Sequence, residues 1–156
     1  MINYDSYVTG FTEGEGCFQI SFSKRSKMKW GIEVRPSFSV SQHKRGKEVI
    51  FFLQSYFKCG GVRFSKNDQN YIFEVRGIDD LMKKIIPHFK KYGFITSAKQ
   101  TQFEKFQTIC QIIYSKRHLN KDGLLEVIEL SSNLNVTGNK KFNRFDLLKM
   151  VSKMKV

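Results

Sequence analysis

Glu13 and Glu15, interleaved with Gly14 and Gly16 in the stretch YVTGFTEGEGCF (residues 7–18), are the residues of this chain best placed to do chemistry. The residues before them follow a helical pattern, so both carboxylates fall at a helix C-terminus, where the dipole disfavours anions. A carboxylate kept in such a place points to a cation as its partner. A glycine-terminated helix with solvated glutamates accounts for the spacing at least as well.

The elements that must position these acids follow from periodicity. Tyr7 and Phe11 lie four apart and share a helix face, with Val8 beside them. Gly10 and Gly14 have the same spacing and form a bare ridge against which a second backbone can close. Gly14 and Gly16 offer the positive φ that ends a helix and starts a strand. Two strands are expected next, 18–25 and 32–40, in which Phe18, Ile20, Phe22 and Ile32, Val34, Pro36, Phe38, Val40 alternate with polar residues. A basic hairpin tip containing Trp30 joins them. A helix over 47–57 ends at Cys59-Gly60-Gly61, and a second hairpin turns at 66–69. Further helices are predicted over 78–92, 98–115, 121–134 and 143–154, the first strained near Pro87. This order describes an α+β domain with four antiparallel strands covered by helices on one face. The opposite face carries Gln19, Ser21, Ser23, Arg25, Glu33, Arg35, Ser39, Arg63, Ser65, Asn70, Ile72 and Arg76. Solvation alone explains many polar faces. One rich in serine and arginine also suits hydrogen bonding to base edges in the major groove of double-stranded DNA.

Composition agrees with a nucleic-acid partner. A net charge of +13 and a pI near 9.8 predict a polyanion, nucleic acid or an anionic membrane. A chain of 156 residues with 15 phenylalanines and six tyrosines can bury a core without metals or disulfides. No run of eighteen apolar residues occurs, and MINYDSYVTG lacks a basic-then-apolar start, so a soluble, intracellular chain without a membrane partner is expected. Cys17, Cys59 and Cys110 are odd in number and far apart, which makes a zinc site or disulfide framework improbable. His43, His88 and His118 are equally scattered, and His88 beside Pro87 reads as structural.

Residues 8–16, Val8-Thr9-Gly10-Phe11-Thr12-Glu13-Gly14-Glu15-Gly16, resemble the nine-residue signature of the LAGLIDADG homing endonucleases, with glutamates where many members have aspartate. The predicted αββαββα order is that of the family, and the resemblance covers roughly residues 4–110. The segments Phe38-Ser39-Val40-Ser41-Gln42 and Ala98-Lys99-Gln100-Thr101-Gln102 resemble those that reach the active site in single-motif members. The resemblance implies one endonuclease domain, with a core over about 4–116 and a helical extension over about 117–156. It implies an intron-encoded, metal-dependent endonuclease that cuts both strands of a long pseudo-palindromic DNA target. Such hydrolysis needs an activated water, charge neutralisation and a stabilised leaving oxygen.

By the same resemblance, Glu15 is the ligand for Mg²⁺ or Mn²⁺, Gln42 positions solvent, and Lys99 stabilises charge or helps activate water. Strict alternation would turn Gln42 inward with Val40 and Phe38, so it has to sit at the strand end. The family position for a further basic residue falls on Gly46, leaving Arg45 or Lys47 to substitute. One motif per chain implies a homodimer packed through Val8, Gly10, Phe11 and Gly14. A strand of about ten residues spans about 33 Å, so two protomers would cover about twenty base pairs. Competing readings are an intron RNA maturase, a catalytically inert DNA-binding regulator of the same fold, and a generic basic RNA-binding or ribosome-associated protein. Twenty lysines against seven arginines, out of the 27 basic residues, point to an A/T-rich organellar genome in a mitochondrion or chloroplast.

Overall fold

Helix α1 (Tyr4–Glu15) runs directly into strand β1 (Gly16–Lys24) in the computed structural model, which describes residues 1–132, 134 and 142–153. Asn3 starts the helix by accepting a hydrogen bond from the Ser6 backbone N–H at 3.0 Å. Gly16 makes the abrupt exit possible, but not by the left-handed geometry expected of it. Its φ is −84°, and Gly14 lies within the helix. A Cβ at Gly16 would sit 2.4 Å from Thr12 Cγ2 and 2.7 Å from the Thr12 carbonyl oxygen. Close approach, not positive φ, therefore requires glycine there.

Strand β1 pairs antiparallel with β2 (Ile32–His43), and a 3₁₀ turn at Lys44–Gly46 leads into α2 (Lys47–Phe57). A second hairpin, β3 (Gly61–Ser65) and β4 (Asn70–Val75), completes a sheet of order β1-β2-β4-β3. Both strands of the first hairpin are longer at the motif end than expected. β1 begins opposite Val40, and β2 continues past it to pair Gln42 with Tyr71 and His43 with Asn70. Pro36, which has no N–H to give a ladder, precedes the stretch of β2 that pairs with β4.

The chain then passes through α3 (Ile78–Asp80), a π turn (Leu81–Ile85) and α4 (Ile86–Lys91). Pro87 follows the π turn within one continuous helical run, so the strain expected near it shows as a locally widened helix where its N–H is missing. Helix α5 (Ser97–Tyr114), a 3₁₀ turn (Arg117–Leu119), α6 (Lys121–Ser132) and α7 (Arg144–Lys153) follow. The expected last helix matches α7 except that Met154 lies outside the described residues.

The apolar parity of the strands faces the helices as alternation required: Phe18, Ile20, Ile32, Val34, Phe38, Val40, Phe73 and Val75 are all buried. Phe18 is the centre of an aromatic cluster, with ring centroids 5.1 Å from Phe106, 5.3 Å from Phe38, 5.5 Å from Phe103 and 5.6 Å from Phe89. Burying each such ring stabilises the fold by roughly 1.5–3 kcal/mol. Trp30, in the basic hairpin tip, is buried, and its indole N–H donates to the Leu119 carbonyl at 3.1 Å. That bond fixes the first hairpin to the C-terminal helices, whose Leu124, Val127, Ile128, Leu147 and Val151 are buried too.

Candidate active site and nucleic-acid interface

The two motif glutamates have different surroundings. Glu13 accepts hydrogen bonds from the backbone N–H groups of Thr96 at 2.6 Å and Ile95 at 3.2 Å, and these donors, Thr96 first, hold its carboxyl below the ordinary pKa. Thr96 is the N-cap residue of α5, so Glu13 joins the end of one helix to the start of another. A cation was expected for this carboxylate. Backbone donors take that role because the chain folds α5 against it. Glu15, two residues on, is exposed and makes no hydrogen bond or ion pair with any described residue.

Lys99, in the first turn of α5, reaches back to the same junction. Its ammonium donates to the Gly16 carbonyl and lies 5.7 Å from the centroid of the Phe18 ring. Burial lowers its pKa from the ordinary value, opposed by the acidic groups of Cys17 and Glu13. The helix-dipole cost of a lysine at this position is thus offset by a carbonyl acceptor and an aromatic face. The structure brings Lys99 to the residue next to Glu15.

Gln42 stands at the same end of the sheet, two residues beyond the point where Gly16 pairs with Val40. It lies within β2, and its Oε1 accepts from the His43 backbone N–H at 2.9 Å. It lines a groove between α1 and α2 with Tyr7, Phe11 and Phe52, and makes no bond to Glu15 or Lys99. A Cβ at Gly46 would come within 3.2 Å of Gln42 Cγ, so a side chain there would crowd Gln42. Arg45 and Lys47 are exposed on either side of it.

Among the residues expected at a dimer interface, Val8 is a correction. It is fully buried, with Thr9 and Thr12, against its own sheet and helices. The outward stripe of α1 is Tyr7, Gly10, Phe11 and Gly14. An added Cβ at either glycine would meet nothing within 4 Å. Tyr7 and Phe11 stack at 6.1 Å and Tyr4 packs on Phe52 at 5.4 Å, extending the stripe as an aromatic patch.

All twelve residues expected on the polar sheet face lie on strand parities or ends that face away from the helices. Register sets Gln19 opposite Ser37, Ser21 opposite Arg35 and Ser23 opposite Glu33. In the second hairpin, Arg63 is opposite Ile72 and Ser65 opposite Asn70. The expected contact set left out Ser37 and Glu74, although alternation puts both on this face, and Ser41, which joins it because β2 runs past the expected end at Val40. Glu33 accepts from Arg25 at 2.5 Å and from Arg35 at 2.7 Å and 3.1 Å, which holds its pKa below the usual carboxylate range, the Arg35 bond first. Glu74 pairs with Arg76 at 3.1 Å and Arg63 at 3.8 Å.

The LAGLIDADG endonuclease family model matches residues 8–110. The protein is 31% identical over 131 residues to probable intron-encoded endonuclease 2 of Neurospora crassa, a match covering 83% of this chain and 29% of that protein. The chain therefore spans less than a third of that relative. The solved structure of the homing endonuclease I-TnaI superposes with a TM-score of 0.84 at 33% identity, covering 99% of this chain and all of that one. I-SmaMI bound to an uncleaved DNA target in the presence of calcium ions gives a TM-score of 0.85 at 27% identity, covering 98% of this chain and 50% of that one. Among the described residues, no helix is long and apolar enough to cross a membrane.

Proposed function

The chain belongs to the LAGLIDADG endonuclease family, and from that premise we propose that it is a homodimeric, intron-encoded homing endonuclease that cuts both strands of a long pseudo-palindromic DNA site. The observation that carries this reading is the open carboxylate of Glu15 at the end of the motif helix, with the Lys99 ammonium anchored on the carbonyl of the next residue, Gly16. Glu15 ends a helix whose outer stripe is bare at Gly10 and Gly14. Two copies packed through that stripe would bring two Glu15 residues towards one axis, one for each strand. A match to half of the I-SmaMI chain leaves room there for a second unit of this size, which supports pairing here.

The residues present fit a hard divalent cation, Mg²⁺ or Mn²⁺. Glu15 offers two unengaged oxygens, and among the described residues no cluster of three or more His, Cys, Asp or Glu forms a cage. Such a site matches the habit of Mg²⁺, which takes one or two carboxylates and fills its shell with phosphate oxygens and water. When bound, the cation supplies an activated water and neutralises charge on the phosphate. Lys99 spends one of its three N–H donors on Gly16 and keeps two to face the charge that grows on the phosphate oxygens. Gln42 has its carbonyl oxygen fixed by His43, which leaves its amide N–H₂ to orient solvent.

The polar sheet face is the proposed reading surface. β2 has twelve residues, so it spans about 40 Å, close to twelve base-pair steps. The intron-encoded relative and the lysine excess support an origin in an organellar genome. The test is cleavage of a plasmid carrying the uninterrupted host sequence, with and without Mg²⁺. Glu15→Gln should abolish cutting while leaving specific binding largely intact. A mutant that cuts at the normal rate removes Glu15 from the mechanism, and a monomer that still cuts both strands at one site removes the dimer.

A further inference from the structure

The two hairpins carry the same side-chain device in the same register. Each second strand contains the tripeptide Glu-Val-Arg: Glu33-Val34-Arg35 in β2 and Glu74-Val75-Arg76, which runs off the end of β4. Each first strand, or the residue just past its end in the case of Arg25, supplies another arginine two positions past the residue opposite the glutamate. Ser23 faces Glu33 and Arg25 follows by two; Gly61 faces Glu74 and Arg63 follows by two. The result is two Arg–Glu–Arg forks on the outer face, each with a net charge of +1. In both, the carboxylate sits low, its side chain 21% or 18% exposed, beneath guanidinium groups that are 51–67% exposed.

Stability does not explain the forks, because exposed ion pairs contribute little. An acid in the middle of a face meant for phosphate-rich DNA also costs affinity, so it needs a role. The geometry of Arg35 supplies one. Its Nε and one Nη both donate to Glu33 Oε2, so the carboxylate occupies the side-on edge of the guanidinium. The end-on edge, with one N–H from each Nη, stays free, and that edge makes bidentate contacts to O6 and N7 of guanine.

Resting on the DNA-endonuclease reading above, we propose that Glu33 and Glu74 are specificity-determining positioning residues, Glu33 clamping Arg35 side-on and Glu74 pairing with Arg76, so that each fork presents an arginine to a G·C base pair and keeps it from drifting to a phosphate. The spacing of the two readings follows from register. Glu74 is opposite Ser39, and Glu33 lies six residues from Ser39 along β2. Six residues span about 20 Å, so the two G·C pairs of each half-site lie about six base pairs apart.

The experiment is selection of bound duplexes from a randomised pool by the full chain, followed by titration of one selected duplex and one random-sequence duplex. The wild type should return two fixed G·C pairs at that spacing in each half-site. Glu33→Gln should lower discrimination about tenfold at one of them only, and Glu74→Gln at the other. Affinity for the random duplex should hold or rise, with a steeper salt dependence as freed arginines reach phosphates. Arg35→Ala should remove the same G·C preference as Glu33→Gln, and the double variant should lose no more at that pair. A glutamine variant that keeps its G·C preference, or weakens all sequences equally, overturns the proposal and leaves the endonuclease reading standing. A wild type that selects no sequence overturns both.

Discussion

At the start of α1, a run of hydrogen bonds ties the helix to its neighbours: Tyr56 donates to Asp5, its hydroxyl lies 3.1 Å from His88 Nδ1, His88 Nε2 lies 3.1 Å from Thr9 Oγ1, and Thr9 donates to the Tyr92 carbonyl at 3.0 Å. At the other end, Glu13 is closed off by backbone donors while Glu15 has no partner among the described residues. The same helix therefore carries one polar region whose bonds are made internally and one whose bonds are left open. Burial explains the first, because a buried donor or acceptor without a partner costs about 1–3 kcal/mol. The open end carries no such penalty, yet Lys99, Gly16 and Glu13 hold its backbone in place. Rigid positioning around an unpartnered group is what binding an outside ligand requires.

The largest effect that sharpens this contrast is on rate at the open end. Lys99→Met should lower single-turnover cleavage by about a hundredfold or more, the scale for removing one preorganised charge-stabilising donor, with little change in DNA affinity. Quenched-flow cleavage beside a binding titration separates the two. An unchanged rate would make Lys99 a brace for the Gly16 carbonyl and move it to the structural side of the comparison.

A smaller effect distinguishes the two glutamates. Glu13→Ala removes the acceptor for Ile95 and Thr96 and should lower the melting temperature by a few degrees. Glu15→Ala should leave it in place. Thermal denaturation of both variants measures this, and equal shifts would erase the difference between a docked and an open carboxylate.

Much of this arrangement was legible because alternation and spacing are local. The strand parities placed Arg63, Ile72 and Glu74 on one face and Phe73 and Val75 on the other, as the structure has them. Long-range closure was not legible. Nothing near Glu13 in sequence shows that residues 95 and 96 return to it, and nothing near Trp30 announces Leu119. Val8 was misplaced for a related reason, since a helix with four apolar or small residues per two turns does not say which neighbours are its own chain's. Lys99 was reached only by resemblance; its helix position opposes the dipole, and the compensating carbonyl comes from a residue 83 positions away.

The remaining test addresses the closed region by pH. His88 is buried among Phe57, Phe89, Tyr56 and Tyr92, with Asp5 as the charged group facing it. Desolvation, only partly opposed by Asp5, pushes its pKa from 6.5 down to about 4. The unfolded chain then takes up a proton below about pH 6.5 that the folded chain refuses until about pH 4, so protonation in that window favours unfolding. The melting temperature should fall as pH drops from 6.5 towards 4. His118, also lowered by burial, adds to the same slope, so the wild-type curve alone does not assign it. His88→Gln removes one titrating group while keeping a hydrogen-bonding side chain, and its curve should be flatter across this window. The gap between variant and wild type should therefore narrow as the solution is acidified. Parallel curves would show that His88 binds its proton equally in both states, and the start of α1 would then be as open to water as its end.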